Sequence, residues 1–159
     1  MALLVSTALA SGAILTMLST RVWSLVSDRL PSGLLDTSVV IDLDLVDPDV
    51  LPLTVGVSPI TMAELAAGPA ATQDLAERAR RQDRLQRAEA AFEAIPFGSK
   101  AARAYGRAHA AVVAAGRQPR RRFADLLIAA VAVAEGMPLI TRNPDDFVGL
   151  EELVVVVPV

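Results

Sequence analysis

Asp36 interrupts an otherwise apolar run, "GLLDTSVVIDL", over residues 33–43. Burying an unpaired carboxylate there is costly, and a bound cation would explain it. Hard ions such as Mg²⁺ and Mn²⁺ are held by carboxylates and water. The chain repeats the pattern. Glu64 follows a second apolar run, Asp125 heads the segment "FADLLIAAVAVAEG", and Asn143, Asp145 and Asp146 follow "MPLIT". In an open α/β sheet the ligand site lies at the carboxyl ends of the strands. If the apolar runs are parallel strands, these groups converge at one edge. Each also has a local explanation. Thr61 and Glu64 read as a T-x-x-E capping box. Asn143 reads as an N-cap with Pro144 at N1. Asp125 would gain about 0.3–1 kcal/mol from a helix N-terminus.

The intervening pattern supports the sheet. Residues 33–35 form a short strand that runs into a turn or helix. Residues 42–50, "DLDLVDPDV", read as a solvated acidic loop carrying Asp42, Asp44, Asp47 and Asp49. Residues 53–57 are a strand, followed by a short helix closed by Gly68. Residues 73–94 form an amphipathic, arginine-rich helix with i,i+4 pairs such as Glu77–Arg81, and its apolar side suits a protein partner or a dimer face. Residues 95–97 are a short strand or connector. Residues 100–115 form an Ala-rich helix and "RQPRRR" a basic loop. From Leu126 to Ala134 every residue is apolar, which marks a buried helix. "MPLIT" and "LVVVV" are strands, separated by a turn and short helix at "RNPDDF". Short apolar strands alternating with helices predict a parallel α/β sheet.

The chain has 159 residues, enough for one domain with a sizeable core. It has no cysteine, which excludes disulfide frameworks and thiolate metal sites and suits a reducing, cytoplasmic setting. Net charge is −3, so any attraction for nucleic acid must come from clustered cations. All the basic residues except Lys100 are arginines, which recognise phosphate in a forked geometry. Residues 1–20 carry no charge. They lack the basic start of a secretory signal and are rich in Ser, Thr, Gly and Ala, so residues 1–30 are read as a loosely attached extension rather than a membrane anchor. The domain proper is residues 31–159. His109 has no partner motif, and Trp23 and Tyr105 stand too isolated to suggest base stacking.

Taken together, "LLDTSVVIDL", "SPITMAELAAG", "FADLLIAAVAVAEGMPLITRNPDDF" and the closing strand resemble the PIN domain in its VapC-type toxin branch, from about Gly33 to Val159. The resemblance implies a three-layer α/β sandwich with a mainly parallel central sheet flanked by helices. It implies an Mg²⁺- or Mn²⁺-dependent endoribonuclease, the toxin of a toxin–antitoxin pair. Such a toxin is inhibited by a VapB-type antitoxin, is usually a homodimer and leaves 5′-phosphate and 3′-hydroxyl ends. Matched motif to motif, Asp36, Glu64, Asp125 and Asp146 carry the catalytic role, with Asp36, Asp125 and Asn143 as metal ligands. Asn143 stands where the family often has Asp, and Asp146 can supply that charge. Ser38, in "DTS", resembles the small hydroxyl that supports the first acid, and Thr141 is grouped with it. Arg120, Arg121 and Arg122 would then bind the RNA backbone.

Two other chemistries fit worse. A phosphatase of the haloacid dehalogenase type with Asp36 as nucleophile wants a second Asp two residues on, where Ser38 stands, and a late basic residue for which Arg142 is a poor substitute. A phosphoacceptor receiver domain wants a lysine at a late strand end, and Lys100 precedes a helix. A weakened PIN domain that only binds RNA or a protein remains open because of Asn143.

Overall fold

The computed structural model describes residues 29–159. The extension expected over residues 1–30 therefore lies, apart from Arg29 and Leu30, outside the described residues. Four short strands form one parallel sheet: β1 (Ser32–Leu35), β2 (Thr54–Val57), β3 (Leu139–Thr141) and β4 (Val156–Pro158), in the order β2-β1-β3-β4. The helices are α1 (Thr37–Ile41), α2 (Pro59–Ala67), α3 (Leu75–Ala91), α4 (Ser99–Ala114) and α5 (Phe123–Glu135). The acidic loop is two 3₁₀ turns, Leu43–Leu45 and Pro48–Val50, and the basic loop is a third, Pro119–Arg122. Residues 95–97 are a connector rather than a strand, tied to β2 by Ile95 N–H donating to Val57 O.

The sheet divides the core by the alternation of strand side chains. Leu34 and Leu139, register partners, face α4 and α5 in one apolar cluster. Leu35 and Ile140, the next pair, face α1, α2 and α3 in another. This is the three-layer sandwich expected. The strand read at 153–157 is shifted, because Leu153 and Val154 close a turn on Leu150 O before pairing begins. The helix read at 73–94 is trimmed at its head by the Asp74 cap, whose carboxylate accepts from Glu77 N at 2.9 Å.

Helix α5 owes its burial to α4. Ala101, Ala104, Ala108 and Val112 turn one small-residue face of α4 inward, which lets the two helices approach closely, and Leu126, Ile128, Ala129 and Val131 are all fully buried. Gly136, at φ 65°, ends α5 in the left-handed conformation, and Met137 N–H returns to Ala132 O at 3.0 Å. That closure sends the chain straight into β3.

The chain's entry into β1 is pinned from outside the sheet. Arg29 Nε donates to Leu51 O at 2.7 Å and Nη2 to Pro52 O at 3.2 Å, while Leu53 N–H donates to Leu30 O. We propose that Arg29 belongs to the folded unit. Residues 32–159 should then melt several degrees lower than residues 29–159, since charged hydrogen bonds contribute about 1.5–3 kcal/mol each. Equal melting of the two truncated chains in calorimetry would refute this.

Candidate active site

Asp36 follows the last residue of β1, beside β3, and its N–H donates to Ile140 O at 2.9 Å. It occupies the N-cap position of α1, and its carbonyl accepts from Val39 and Val40, but its carboxylate caps nothing. Instead the side chain, only 5% exposed, takes two hydroxyl donors on one oxygen. Ser38 Oγ donates to Oδ2 at 2.6 Å and Thr141 Oγ1 at 2.9 Å. Each hydroxyl in turn accepts a backbone N–H, Ser38 from Arg142 at 3.1 Å and Thr141 from Asn143 at 3.0 Å. A hydroxyl has one proton to give. Loaded with an N–H on its lone pair, it directs that proton at the carboxylate.

The capping-box explanation of Glu64 does not hold. The cap of α2 is Ser58, whose buried hydroxyl accepts from Thr61 N at 3.0 Å, with Pro59 at N1. Thr61 is therefore inside the helix and Glu64 lies in its second turn. Its carboxylate reaches across to α1, where Thr37 Oγ1 donates to Oε2 at 2.5 Å. Thr37 is a residue the sequence reading passed over, although it sits between Asp36 and Ser38 in the same "DTS" motif.

Asp125 occupies the first turn of α5, half-buried. Its pKa is pushed up from 3.8 to about 6, first by burial and then by the charges of Asp146, Asp36 and Glu64; Arg122 opposes the rise. So Asp146, Asp36 and Glu64 all act on Asp125 at the sheet's carboxyl edge. Asp146 is the strongest charged neighbour in this set. It sits in the 3₁₀ turn Pro144–Phe147, anchored by the buried Phe147 and by Arg122 Nη1, which donates to the Asp146 carbonyl at 2.8 Å. Asn143 is exposed and makes no side-chain cap.

Of the three arginines, Arg122 is half-buried and turned toward this turn, whereas Arg120 and Arg121 are exposed on the preceding 3₁₀ turn. Neither is in any ion pair among the described residues. Arg142 points elsewhere and pairs with Asp42. The donor set is all oxygen and anionic, which fits a hard divalent cation. Among the described residues, however, no three acidic or histidine side chains already stand close enough to share one ion. Hydroxyl groups hold Asp36 and Glu64 where they are.

A PIN-domain family model matches residues 34–152. Ribonuclease VapC5 of Mycobacterium tuberculosis is 38% identical over 125 residues, covering 76% of this chain and 88% of that protein. The crystal structure of VapBC-5, a member of the VapBC family of toxin–antitoxin systems from M. tuberculosis, matches with a TM-score of 0.72 and 35% identity, over 81% of this chain and 99% of that one. FitAcB from Neisseria gonorrhoeae matches with a TM-score of 0.61 and 28% identity, over 79% and 96%. No helix among the described residues is long and apolar enough to cross a membrane.

The raised pKa of Asp125 makes stability depend on pH in a stated direction. The folded state holds this proton up to about pH 6, the unfolded chain only to about 3.9. Between those values the folded state binds more protons, so this group's contribution to stability falls as pH rises through the window and stays lost above it. In chelator-treated buffer, Asp125→Asn should melt above the unmodified chain at pH 7.5, by roughly 2–4 °C per kcal/mol relieved. The gap should close below about pH 4. Melting curves that run parallel at every pH would exclude the repulsion.

Proposed function

Since the chain belongs to the PIN-domain family, we propose that it is a divalent-metal-dependent endoribonuclease acting as the toxin of a toxin–antitoxin pair. The observation that carries this reading is the convergence of Asp36, Glu64, Asp125 and Asp146 at the carboxyl edge of the sheet, where burial and then the charges of the other three raise the pKa of Asp125. The relative named a ribonuclease and the solved toxin–antitoxin assemblies support the class of activity and of partner. The partners are RNA, a VapB-type antitoxin and a second copy of the chain.

Asp36, Asp125 and Asp146 would hold Mg²⁺ or Mn²⁺, with Asn143 available at the rim and Glu64 across the cleft. Bound there, the ion would supply an activated water and neutralise charge on the scissile phosphate. Everything else falls to the protein. Ser38 and Thr141 fix the angle of the Asp36 carboxylate, and Thr37 does the same for Glu64. Arg122 sets the position of Asp146 through its backbone. Arg120 and Arg121 are left to hold backbone phosphates, which arginine can do with two parallel bonds. A phosphatase reading is weakened because the Ser38 hydroxyl is committed to Asp36 Oδ2. In this reading Asp146, whose charge acts on Asp125, offsets the Asn143 departure.

Purified protein should cut single-stranded RNA in Mg²⁺ or Mn²⁺ and stop in chelator. Asp36→Asn and Asp125→Asn should each lower the rate at least 100-fold without early melting. Arg120→Ala with Arg121→Ala should weaken RNA binding and flatten its salt dependence by a slope of about 1.4, two phosphates at about 0.7 each. Cleavage that persists in chelator, or survives Asp125→Asn, would remove the assignment.

A further inference from the structure

We propose that Phe123, braced by Tyr105, which in turn packs on His109, is a stacking shelf for an unpaired RNA base. The proposal rests on the nuclease reading and adds to it a residue that holds a base turned outward from single-stranded RNA.

In the sequence these rings stand apart, and Tyr105 looks isolated. The fold brings them together. The Phe123 and Tyr105 ring centroids lie 5.9 Å apart at 76°, an edge-to-face pair. Tyr105 and His109 follow at 6.1 Å and 52°. Tyr105 is half-buried against the α4–α5 core, so the shelf has a rigid base. Phe123 is 56% exposed. A lone exposed phenylalanine needs no explanation; this one is held in position by a second ring, immediately after the 3₁₀ turn that carries Arg120 and Arg121. Those guanidinium groups have no ion-pair partner among the described residues. Aromatic faces beside cations that track a backbone are how single strands are bound without reading sequence. An apolar protein partner would gain nothing from that cationic border.

Position decides which base. Phe123 and Asp125 are two residues apart on one helical turn, about 200° around the axis, so they face opposite sides of a cylinder about 10 Å across. The ring cannot touch the phosphate held at the acids. It can take a base further along the strand, whose phosphates Arg120 and Arg121 would hold. Such a shelf tolerates any base, because every base has a π-face, and rejects duplex RNA, whose bases are stacked and paired.

The test uses the full chain and its Phe123→Ala, Phe123→Leu and Phe123→Trp variants. In chelator, a single-stranded RNA carrying 2-aminopurine at successive positions reports stacking by quenching. The unmodified protein and Phe123→Trp should quench at one position. Phe123→Ala and Phe123→Leu should not, and should bind about tenfold more weakly. With Mg²⁺, Phe123→Ala should raise KM about tenfold and leave kcat nearly unchanged. An RNA with an abasic nucleotide at the quenched position should suffer the same loss on the unmodified protein, and no further loss on Phe123→Ala. That non-additivity would not arise from a merely structural role. Quenching without any cleavage would leave the shelf standing and remove the nuclease reading. Cleavage with equal KM in the unmodified protein and Phe123→Ala would overturn the shelf alone. So would a Phe123→Ala variant that binds RNA normally but loses self-association, since the ring would then belong to a protein contact.

Discussion

The Asp36 carboxylate at the carboxyl end of β1 is the point on which the candidate site turns. A buried acid must be given donors, and here both hydroxyls come from residues whose positions the sheet dictates. Thr141 is the last residue of β3, beside Asp36 because β1 and β3 pair in parallel with Leu35 opposite Ile140. Ser38 is in the first turn of α1, which Asp36 itself begins with its backbone carbonyl. The backbone N–H groups of Arg142 and Asn143 then complete the hydroxyls. A shift of one residue in the β1–β3 register would take Thr141 to the other face and leave the acid with half its donors.

Charge at the other end of the cleft has the opposite character. Asp36 and Glu64 are held by hydroxyl donors, whereas Asp125 is set by burial and by the neighbours that repel it. The helix carrying Asp125 is apolar on every side and can lie in only one place, between α4 and the sheet. Its head is thus aimed at the carboxyl edge whether or not that suits the acid. The core's demand for burial outweighs the repulsion, and a site with surplus negative charge is the result. Arg122 lessens that surplus and at the same time ties down the turn bearing Asp146, so one side chain links the basic turn to the last acid.

The kinds of element, their order and the parallel sheet were legible in the sequence because they follow from local periodicity. The all-apolar run over residues 126–134 had to be a buried helix, and Gly136 had to end it. Boundaries were less legible where a cap or a turn intervened, as at Asp74 and at Leu153. The acids could be listed, and a resemblance could order them, but their neighbours could not be read. Thr61 and Glu64 have the spacing of a capping box, and nothing in that spacing reveals that Ser58 takes the cap first. Thr37 looks like any helix-initiating threonine until α2 places Glu64 opposite it.

What the sequence determined alone is therefore one-dimensional: which residues are apolar at which period, where chain direction must change, which carboxylates follow strands, and that no cysteine is available. What only the tertiary structure decided is pairing across the chain. It set Asp146 among the charges that raise the pKa of Asp125. It divided three adjacent arginines into one that braces a turn and two that face solvent. It brought the Tyr105 ring against those of His109 and Phe123. These outcomes depend on helix rotation and sheet register, which are set by packing the whole core at once, and no window of neighbouring residues carries that information.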